Sequence, residues 1–557
     1  MIKVTISVLA ALCFSYTGIA QDLQEKIQFL QENTVSVTGK KKTFDQQFSG
    51  DPDHQFIVSV KITDTDNGEE IIKTVNLQDL NPSRVVFEPK RDMVEISARV
   101  KTDKKLVKIV ENGEIQNYQN EFLFYAGGIE EARSLADALE SIVELANKEA
   151  EKSDPAVTGK EQLLAYLSQS TAEVVINDES YLQEFKVDQE NNNVITVGIE
   201  QVSKTLKEEY RFNAADLYIS KIDFDTRRNQ VLVSLSTKSD SKVIAYTKDG
   251  VIGNFTNGFE ILMPSVEEAR VYAANLKELV KLAESEESTG FENYSIPQCQ
   301  EFLSQHIGQV IINQDTYSQS FTADPDNQLV FRIKSIDVSK GEEITYLVNA
   351  AYLHKGQTKF DTRGNAVLVT LEIDGNRKLI STLKGAEAGN YLHTFTVRAQ
   401  DIESGRDLSK VFTRYKTLAR EEMEQLNPFS DPGQAESFIV ESVSEIVINT
   451  DTYLQSVKID SENSCLYTYE FTDVSKDVQF DYEFNFQDID LHKIQFDTRG
   501  SQAFVALEVR GGNKLIQTYK DGEMDKYVDE LQILTKDIEQ ARMLVTALKL
   551  KAESCEK

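Results

Sequence analysis

A short acidic loop recurs four times along the chain, and its side chains are of the kind that bind metal ions. Carboxylate and amide oxygens are ligands that Ca²⁺ prefers. The loop makes eight carboxylates candidate calcium ligands: Asp51, Asp53, Asp188, Glu190, Asp324, Asp326, Asp460 and Glu462. A tight turn is the competing interpretation, because the loop lacks the glycine and the distant glutamate of an EF-hand and its composition favours a type I turn. We favour the turn, and calcium is the one cofactor that the sequence suggests.

A second recurring element reads Phe-Asp-Thr-Arg and is called the FDTR motif below. It occupies residues 224–227, 360–363 and 496–499. Guanidinium groups bind anions and carboxylates, so candidate contacts to an anion or a partner are Arg227, Arg363 and Arg499. The competing interpretation is a hairpin turn, capped by the aspartate and followed by a glycine of positive φ at 364 and 500. We favour the hairpin, although Arg228 occupies the glycine position after the first motif.

No pattern of residues nominates a catalytic centre. The five histidines share no position between the copies described below, which argues against a recurring acid–base or zinc site. The chain has no HExxH, GxSxG or CxxC motif and no phosphate-binding glycine loop. We therefore expect a protein without enzymatic activity.

The spacing of these motifs predicts four tandem repeats. Successive FDTR motifs lie 136 residues apart, and Asn177, Asn313 and Asn449 keep the same interval. An earlier, diverged copy has Phe87-Glu88-Pro89-Lys90 in place of the motif. A period of this length matches one domain with its own core. We predict repeat 1 at 21–150, repeat 2 at 156–286, repeat 3 at 294–424 and repeat 4 at 431–557.

Hydrophobic patterning predicts an α+β fold for each repeat. Val231, Val233 and Leu235 alternate with serines as in a strand with one buried face. A helix begins after Ser265, where a capping box precedes an apolar stripe whose first position is always small. We predict about seven antiparallel strands, forming a bent sheet or small barrel that this C-terminal helix closes. Repeats 2 to 4 also open with a short helix.

This order of elements resembles the pleckstrin-homology-like superfold. Lipid-binding members of that group carry a basic loop between their first two strands, whereas the acidic loop stands there in this chain. The resemblance therefore implies a fold for each repeat and does not imply phosphoinositide binding.

Residues 1–20 have the features of a Sec signal peptide, with Lys3, an apolar segment at 4–14 and a small-residue cleavage site at 18–20. We expect an exported protein in the periplasm or outside the cell. Cys299, Cys465 and Cys555 occupy non-equivalent places, so the sequence predicts no disulfide framework. No later segment is apolar enough to span a bilayer.

Composition restricts the partners. The net charge of −31 disfavours nucleic acid and anionic membranes, since both would repel the chain. The leading expectation is a non-catalytic binding or scaffold protein that presents similar surfaces in series to a protein or another envelope component. The alternatives are a carrier of an apolar ligand and a calcium-dependent binding protein.

Overall fold

The computed structural model describes residues 22–150, 157, 159–286, 290–426 and 428–555. The predicted signal peptide lies outside these residues. The chain forms two compact units, Met1–Ser288 and Thr289–Lys557. Repeats 1 and 2 belong to the first unit, and repeats 3 and 4 belong to the second.

Each repeat of the first unit contributes nine strands. The strands of repeat 1 are β1 Val37–Thr38, β2 Thr43–Gly50, β3 Ile57–Asp64, β4 Glu70–Asn76, β5 Leu80–Lys90, β6 Met93–Val100, β7 Lys108–Glu111, β8 Glu114–Ile115 and β9 Glu121–Ala126. The strands of repeat 2 are β10 Val174–Ile176, β11 Glu179–Val187, β12 Val194–Gln201, β13 Leu206–Asn213, β14 Asp223–Arg227, β15 Gln230–Ser236, β16 Ala245–Lys248, β17 Val251–Ile252 and β18 Gly258–Met263.

The second unit repeats this arrangement. The strands of repeat 3 are β19 Val310–Ile312, β20 Asp315–Ala323, β21 Val330–Asp337, β22 Glu342–Asn349, β23 Lys359–Arg363, β24 Ala366–Glu372, β25 Ser381–Lys384, β26 Glu387–Ala388 and β27 Thr394–Ala399. The strands of repeat 4 are β28 Ile446–Ile448, β29 Asp451–Ile459, β30 Leu466–Asp473, β31 Val478–Asn485, β32 Gln495–Arg499, β33 Gln502–Glu508, β34 Ile516–Lys520, β35 Glu523–Val528 and β36 Glu530–Thr535.

The nine strands of a repeat form two antiparallel sheets. In repeat 2 the six-stranded sheet has the order β10-β11-β12-β13-β16-β17 and the three-stranded sheet the order β14-β15-β18. After β13 the chain leaves the first sheet through a short 3-10 turn, Ala214–Asp216, which interrupts the ladder. The α+β class and the fourfold repetition are confirmed, whereas the described strands do not close into a barrel.

Two helices accompany the sheets of every repeat. The opening helices are α1 22–33, α3 Lys160–Ser170, α5 Ile296–His306 and α7 Pro432–Ser442. The closing helices are α2 Ile129–Ala150, α4 Val266–Glu286, α6 Ile402–Gln425 and α8 Ile538–Cys555. The opening helix of repeat 1 was not predicted, although Leu23, Ile27 and Leu30 are buried at helical spacing.

The closing helices begin and pack as the sequence predicts. The Ser265 hydroxyl accepts a hydrogen bond of 3.1 Å from the backbone N–H of Glu268. The first position of the apolar stripe must be small because the helix lies close to a strand. At Gly405, for example, a Cβ atom would lie 2.7 Å from a methyl group of Val367.

Four equivalent glutamines join the two sheets of each repeat: Gln46, Gln183, Gln319 and Gln455. The Gln183 amide donates to the carbonyl of Leu262 at 2.9 Å and accepts from its N–H at 3.0 Å. Gln319 makes the same pair of bonds with Arg398. A side chain thus replaces the backbone ladder where the sheets meet, and it satisfies both polar groups of one strand residue.

The apolar core of the first unit is continuous. One cluster of buried residues runs from Leu23 in α1 to Ala283 in α4 and includes both pairs of sheets. Four self-contained cores were expected from the period, and the cluster instead spans two repeats because the end of one repeat packs on the next.

A disulfide ties the last helix to its sheet, contrary to the expectation of no disulfide framework. Cys465 and Cys555 are bonded, with Cα atoms 5.8 Å apart. They are 90 residues apart in sequence, but Cys465 and Cys555 both contact the turn that follows β31. The Cys465 carbonyl accepts from Phe486 N–H at 2.9 Å, and the Cys555 carbonyl accepts from the Gln487 amide at 3.2 Å.

Candidate functional site

A groove with a volume of about 1280 Å³ lies between the two sheets of repeat 2. Its walls come from β11 to β13 on one side and from β15 and β18 on the other. Tyr210 stacks on Phe259 with ring centroids 4.5 Å apart, which gives the groove an aromatic floor. Polar side chains, mainly amides and carboxylates, surround that floor.

Several polar groups of the groove are hydrogen-bonded to neighbouring side chains. The Tyr246 hydroxyl donates to Glu208 at 2.7 Å, and the Gln230 amide donates to the Tyr181 hydroxyl at 3.1 Å. Burial and the Glu208 carboxylate raise the pKa of Tyr246 to about 12. Hydrogen bonds from Ser203 and Gln201 lower the pKa of Glu179. The groove is therefore a polar surface with several internal hydrogen bonds.

A second feature recurs on the outer face of the six-stranded sheets and is called the outer strip. In repeat 2 it consists of Val175, Leu182 and Val202, all of them exposed. Val175 faces Ser180 across the β10–β11 pair, and Leu182 faces Glu200 across the β11–β12 pair. Because side chains two residues apart on a strand share a face, Val175 and Leu182 lie on the same face of neighbouring strands, and Val202 follows directly after the end of β12.

The outer strip is present in three repeats and absent from the first. Its equivalents in the second unit are exposed as well: Ile311 and Val338 in repeat 3, and Val447, Leu454 and Val474 in repeat 4. Repeat 1 has polar residues at all three positions, Thr38, Asp45 and Thr65. Apolar side chains kept exposed at the same positions are typical of an interaction surface.

The acidic loops are Asx turns in which the leading carboxylate bonds to its own backbone. Asp51 accepts from the N–H groups of Asp53 and His54 at 2.8 and 2.9 Å. The equivalent bonds of Asp188 and Asp460 measure 2.8 to 3.1 Å. Asp324 accepts from Asp326 N–H at 3.1 Å.

The bonds within the turns affect the pKa of the leading aspartate in repeats 1 and 2. These backbone bonds lower the pKa of Asp51 and of Asp188, and Arg211 adds an ion pair to Asp188 at 3.2 Å. In the part of the chain that the structure describes, no group of three or more side chains is positioned to hold a metal ion. The hydrogen bonds account for the recurring aspartate as a turn former, and calcium binding stays a prediction.

Each FDTR motif forms the first strand of a hairpin. The motif ends β14, β23 and β32, and the turn that follows has Arg228, Gly364 and Gly500 with φ of 57°, 59° and 61°. The predicted left-handed position is therefore present even where glycine is replaced. Arg227 forms a double ion pair with Glu260 of its own repeat, at 2.8 and 2.6 Å, while Arg363 and Arg499 are exposed.

Two of these hairpins, those of repeats 2 and 4, dock on the preceding repeat of the same unit. In the first unit Lys104 of repeat 1 bonds to the Phe224 carbonyl at 2.8 Å and lies over its ring, 5.1 Å from the centroid. In the second unit Arg377 of repeat 3 makes the equivalent bond to Phe496 at 2.7 Å, with its guanidinium 4.5 Å from the ring centroid. The motif is thus an element of the contact between repeats.

Two further bonds of the docked hairpin recur in both units. The threonine hydroxyl of the motif donates to a backbone carbonyl of the earlier repeat, Thr226 to Lys105 and Thr498 to Lys378, the latter at 2.6 Å. The turn residue accepts from a tyrosine N–H, Arg228 from Tyr118 at 2.9 Å and Gly500 from Tyr391 at 2.8 Å.

Two of the three asparagines at the regular interval, Asn177 and Asn449, contribute to the same contact. The Asn177 amide accepts from Ile115 N–H at 2.8 Å and donates to its carbonyl at 3.2 Å. Asn449 bonds to Ala388 in the same way, at 2.7 and 3.1 Å. Each asparagine thereby satisfies both backbone groups of one residue at the edge of the neighbouring repeat.

The first turn of the closing helix completes the contact. In the first unit Arg270 forms a double ion pair with the buried Asp79 at 2.6 and 2.7 Å, and Glu267 bonds to Asn76. Burial raises the pKa of Glu267. In the second unit the Asn349 amide donates to Glu539 at 2.8 Å.

The asparagines that end β4, β13, β22 and β31 each accept a hydrogen bond from a backbone N–H two residues further along. The side chain of Asn213, for example, accepts from Ala215 N–H at 3.0 Å. The outer strip and the docking role of the FDTR motif were missed. A signal for the strip was present, since three copies keep an apolar residue two positions before the asparagine of the first hairpin.

Comparison with known proteins finds no matching family model, no similar curated protein and no similar solved structure. Among the described residues, every helix is too short or too polar to cross a membrane.

Proposed function

We propose that this protein is an exported, non-catalytic scaffold that binds a protein partner through the outer strips of repeats 2, 3 and 4. The observation that carries the proposal is the recurrence of exposed apolar side chains at equivalent positions of three repeats, with polar residues in the first. Surfaces of this kind are costly in water unless a partner covers them.

The presence of three strips in one chain explains how a small apolar surface can support binding. One strip offers at most three apolar side chains, and that of repeat 3 offers two, which is little area for a stable complex. Linked strips that engage one partner or a partner array together raise the apparent affinity without new contacts. The charge of −31 favours a partner with a neutral or basic surface around its apolar residues.

Two further points support export and restrict the function. The Cys465–Cys555 disulfide is typical of an oxidising compartment, in line with the predicted signal peptide. The groove of repeat 2 is lined by paired carboxylates and amides, which makes it a poor seat for an apolar ligand and disfavours the carrier alternative. The resemblance to the pleckstrin-homology-like superfold remains a hypothesis about the fold of each repeat.

The test transplants the polar residues of repeat 1 into the strips. Val175→Thr, Leu182→Asp and Val202→Thr convert repeat 2, and the equivalent changes convert repeats 3 and 4. The tagged chain is used to capture partners from the native envelope or medium, and binding of the partner recovered is then measured on a sensor surface. We expect the dissociation rate to increase with each converted strip.

The matched control changes an exposed apolar residue outside the strips and outside the contacts between repeats. Val440 lies in α7 and is 42% exposed, close to the 43% of Leu182, so Val440→Thr is the control. Partner binding should survive this change. Unchanged binding after conversion of all three strips would refute the proposal.

A further inference from the structure

The contact between consecutive repeats has two faces, each present in every repeat. The receiving face belongs to the earlier repeat and contains the segment Lys104–Tyr118 in repeat 1 or Arg377–Tyr391 in repeat 3. The hairpin face belongs to the later repeat. It contains the residues at the positions of the FDTR motif, the turn that follows them and the first turn of the closing helix. Repeats 1 and 2 meet in this way, as do repeats 3 and 4.

Repeat 4 has a receiving face that the structure leaves uncovered. Leu515 is 49% exposed, whereas its equivalent in repeat 3, Leu379, is 3% exposed. Tyr527 is 48% exposed, whereas Tyr391 is 6% exposed. Met524, at the position of Ala388, is exposed as well. The equivalent residues are buried where two repeats of one unit meet. The receiving face of repeat 4 therefore has the composition of an interface whose partner is missing.

Repeat 1 has an uncovered hairpin face. Ile129 at the start of α2 is exposed, whereas Val266 and Ile538 are buried at the equivalent position. Glu130 and Arg133 pair with each other at 2.8 Å in solvent, whereas Arg270 at the equivalent position reaches the neighbouring repeat.

The two uncovered faces are complementary. Asp488 of repeat 4 occupies the position of Asp79, the residue that pairs with Arg270, so it faces the position that Arg133 would take. On the hairpin face of repeat 1, Lys40 stands at the position of Asn177. In the contacts inside the units, that asparagine bonds to the residue at the position of Met524. Two acidic residues of the receiving face, Glu523 and Asp525, flank Met524. Lys40 and these two acidic residues thus carry opposite charges at the place where, in the contacts inside the units, an asparagine bonds to backbone groups.

We propose that copies of this chain associate head to tail, with the receiving face of repeat 4 covered by the hairpin face of repeat 1 of a second copy. The occupant is a second copy because the chain itself contains both halves of a contact that it already uses twice. Such an interface is heterologous, so each copy keeps a free face for the next. Pro89 stands at the threonine position and supplies no hydroxyl, which makes this contact weaker than the internal ones and therefore reversible.

Sedimentation velocity of the purified chain over a wide concentration range tests the association. We expect the mean mass to rise with concentration beyond that of a dimer. Leu515→Glu and Tyr527→Glu should each weaken the association about tenfold or more, because a carboxylate would be buried at the apolar centre of the face. Val440→Glu, at an exposed apolar position of α7, should leave the association unchanged.

A charge exchange distinguishes the proposed pair from any other use of the faces. Asp488→Arg and Arg133→Glu should each reduce self-association when measured alone. A mixture of the two variants should recover it, because the arginine introduced in one copy would then face the glutamate introduced in the other. A chain that stays monomeric at every concentration, or a mixture that shows no recovery, overturns the proposal. A monomer that instead binds another protein through Leu515 assigns the face to that protein and equally overturns it.

Discussion

The acidic loop and the FDTR hairpin recur with the same regularity but differ in where their polar groups are directed. In the loop, the Asp188 carboxylate bonds to N–H groups two and three residues further along its own chain. In the hairpin, the Thr226 hydroxyl and the Phe224 carbonyl bond to another repeat. Recurrence therefore marks positions that have the same role in each repeat. Only the bonding partners show whether that role is to form a local turn or to dock on another repeat.

The two internal contacts also differ from each other in one respect. Arg270 pairs with the buried Asp79 in the first unit, whereas Tyr352 replaces that aspartate in the second unit and its ring lies 6.0 Å from that of Phe496. Bonds to backbone groups are retained in both. The side-chain pair is thus the variable part of the contact, and the backbone bonds of the hairpin and the asparagine are its constant part.

The largest expected effect comes from the buried ion pair. Arg270→Met leaves the Asp79 carboxylate buried without its cation, and we expect the first unit to lose about 3 kcal/mol of unfolding free energy. Urea denaturation measures the loss. Arg133→Met removes the equivalent arginine of repeat 1, whose ion pair is exposed, and should cost about 0.5 kcal/mol or less in dilute solution. Equal losses would show that Arg270 acts by helix propensity and not by docking.

The aromatic residue of the motif should rank second. Phe496→Ala removes a half-buried ring from between Arg377 and Tyr352, and we expect the second unit to lose about 2 kcal/mol. The transition of that unit in urea or in calorimetry reports the change. Arg499→Ala, three residues along the same hairpin but exposed, is the control and should be nearly silent. A costly Arg499→Ala would assign the stabilising role to the arginine instead.

The threonine hydroxyl should have a smaller effect. Thr498→Val keeps the shape and strand propensity of the side chain but removes the bond to the Lys378 carbonyl, so a loss of about 1 kcal/mol is expected. Thr322→Val, on the exposed face of β20, controls for the loss of a hydroxyl. A neutral Thr498→Val would mean that water satisfies the Lys378 carbonyl equally well.

The acidic loop should give the smallest effect, and it should appear only in acid. The pKa of Asp188 is lowered in the folded chain, so its stabilising contribution is present above the unfolded pKa near 3.8 and is lost as pH falls through the folded value. Asp188→Asn should therefore lose stability at neutral pH but lose less than the parent chain between pH 4 and the folded pKa. Thermal melts with and without calcium complete the test, since calcium binding at this loop would raise the midpoint of the parent chain more than that of the variant.

Much of the construction was predictable because it repeats. The period gave the four repeats, and strand alternation and the capping box at Ser265 gave the α+β class and the closing helix. The prediction of about seven strands in one bent sheet or small barrel was too simple, since each repeat has nine described strands in two antiparallel sheets that Gln183 and its equivalents join. That bridge connects residues 79 positions apart, so no local pattern reveals it.

The candidate surfaces were less accessible to prediction than the elements that carry them. Exposure of Val175 and burial of Val174 follow from alternation, but the same alternation is found in any half-buried strand. That Val175 and Leu182 share one face of the sheet depends on the register of β10 and β11. Likewise, Cys465 and Cys555 were known to be in one repeat, and only the fold of the closing helix onto the turn after β31 brings them together.

The sequence by itself determined the number of repeats, their order of elements and the turn chemistry, because these depend on residues that are near one another in the chain. The tertiary structure decided what each recurring motif does. Side chains such as Asp79 and Arg270 are 191 residues apart, and their pairing exists only because one repeat packs on the next. The same packing buries Leu379 and leaves Leu515 exposed, although both stand at the same position of the repeat.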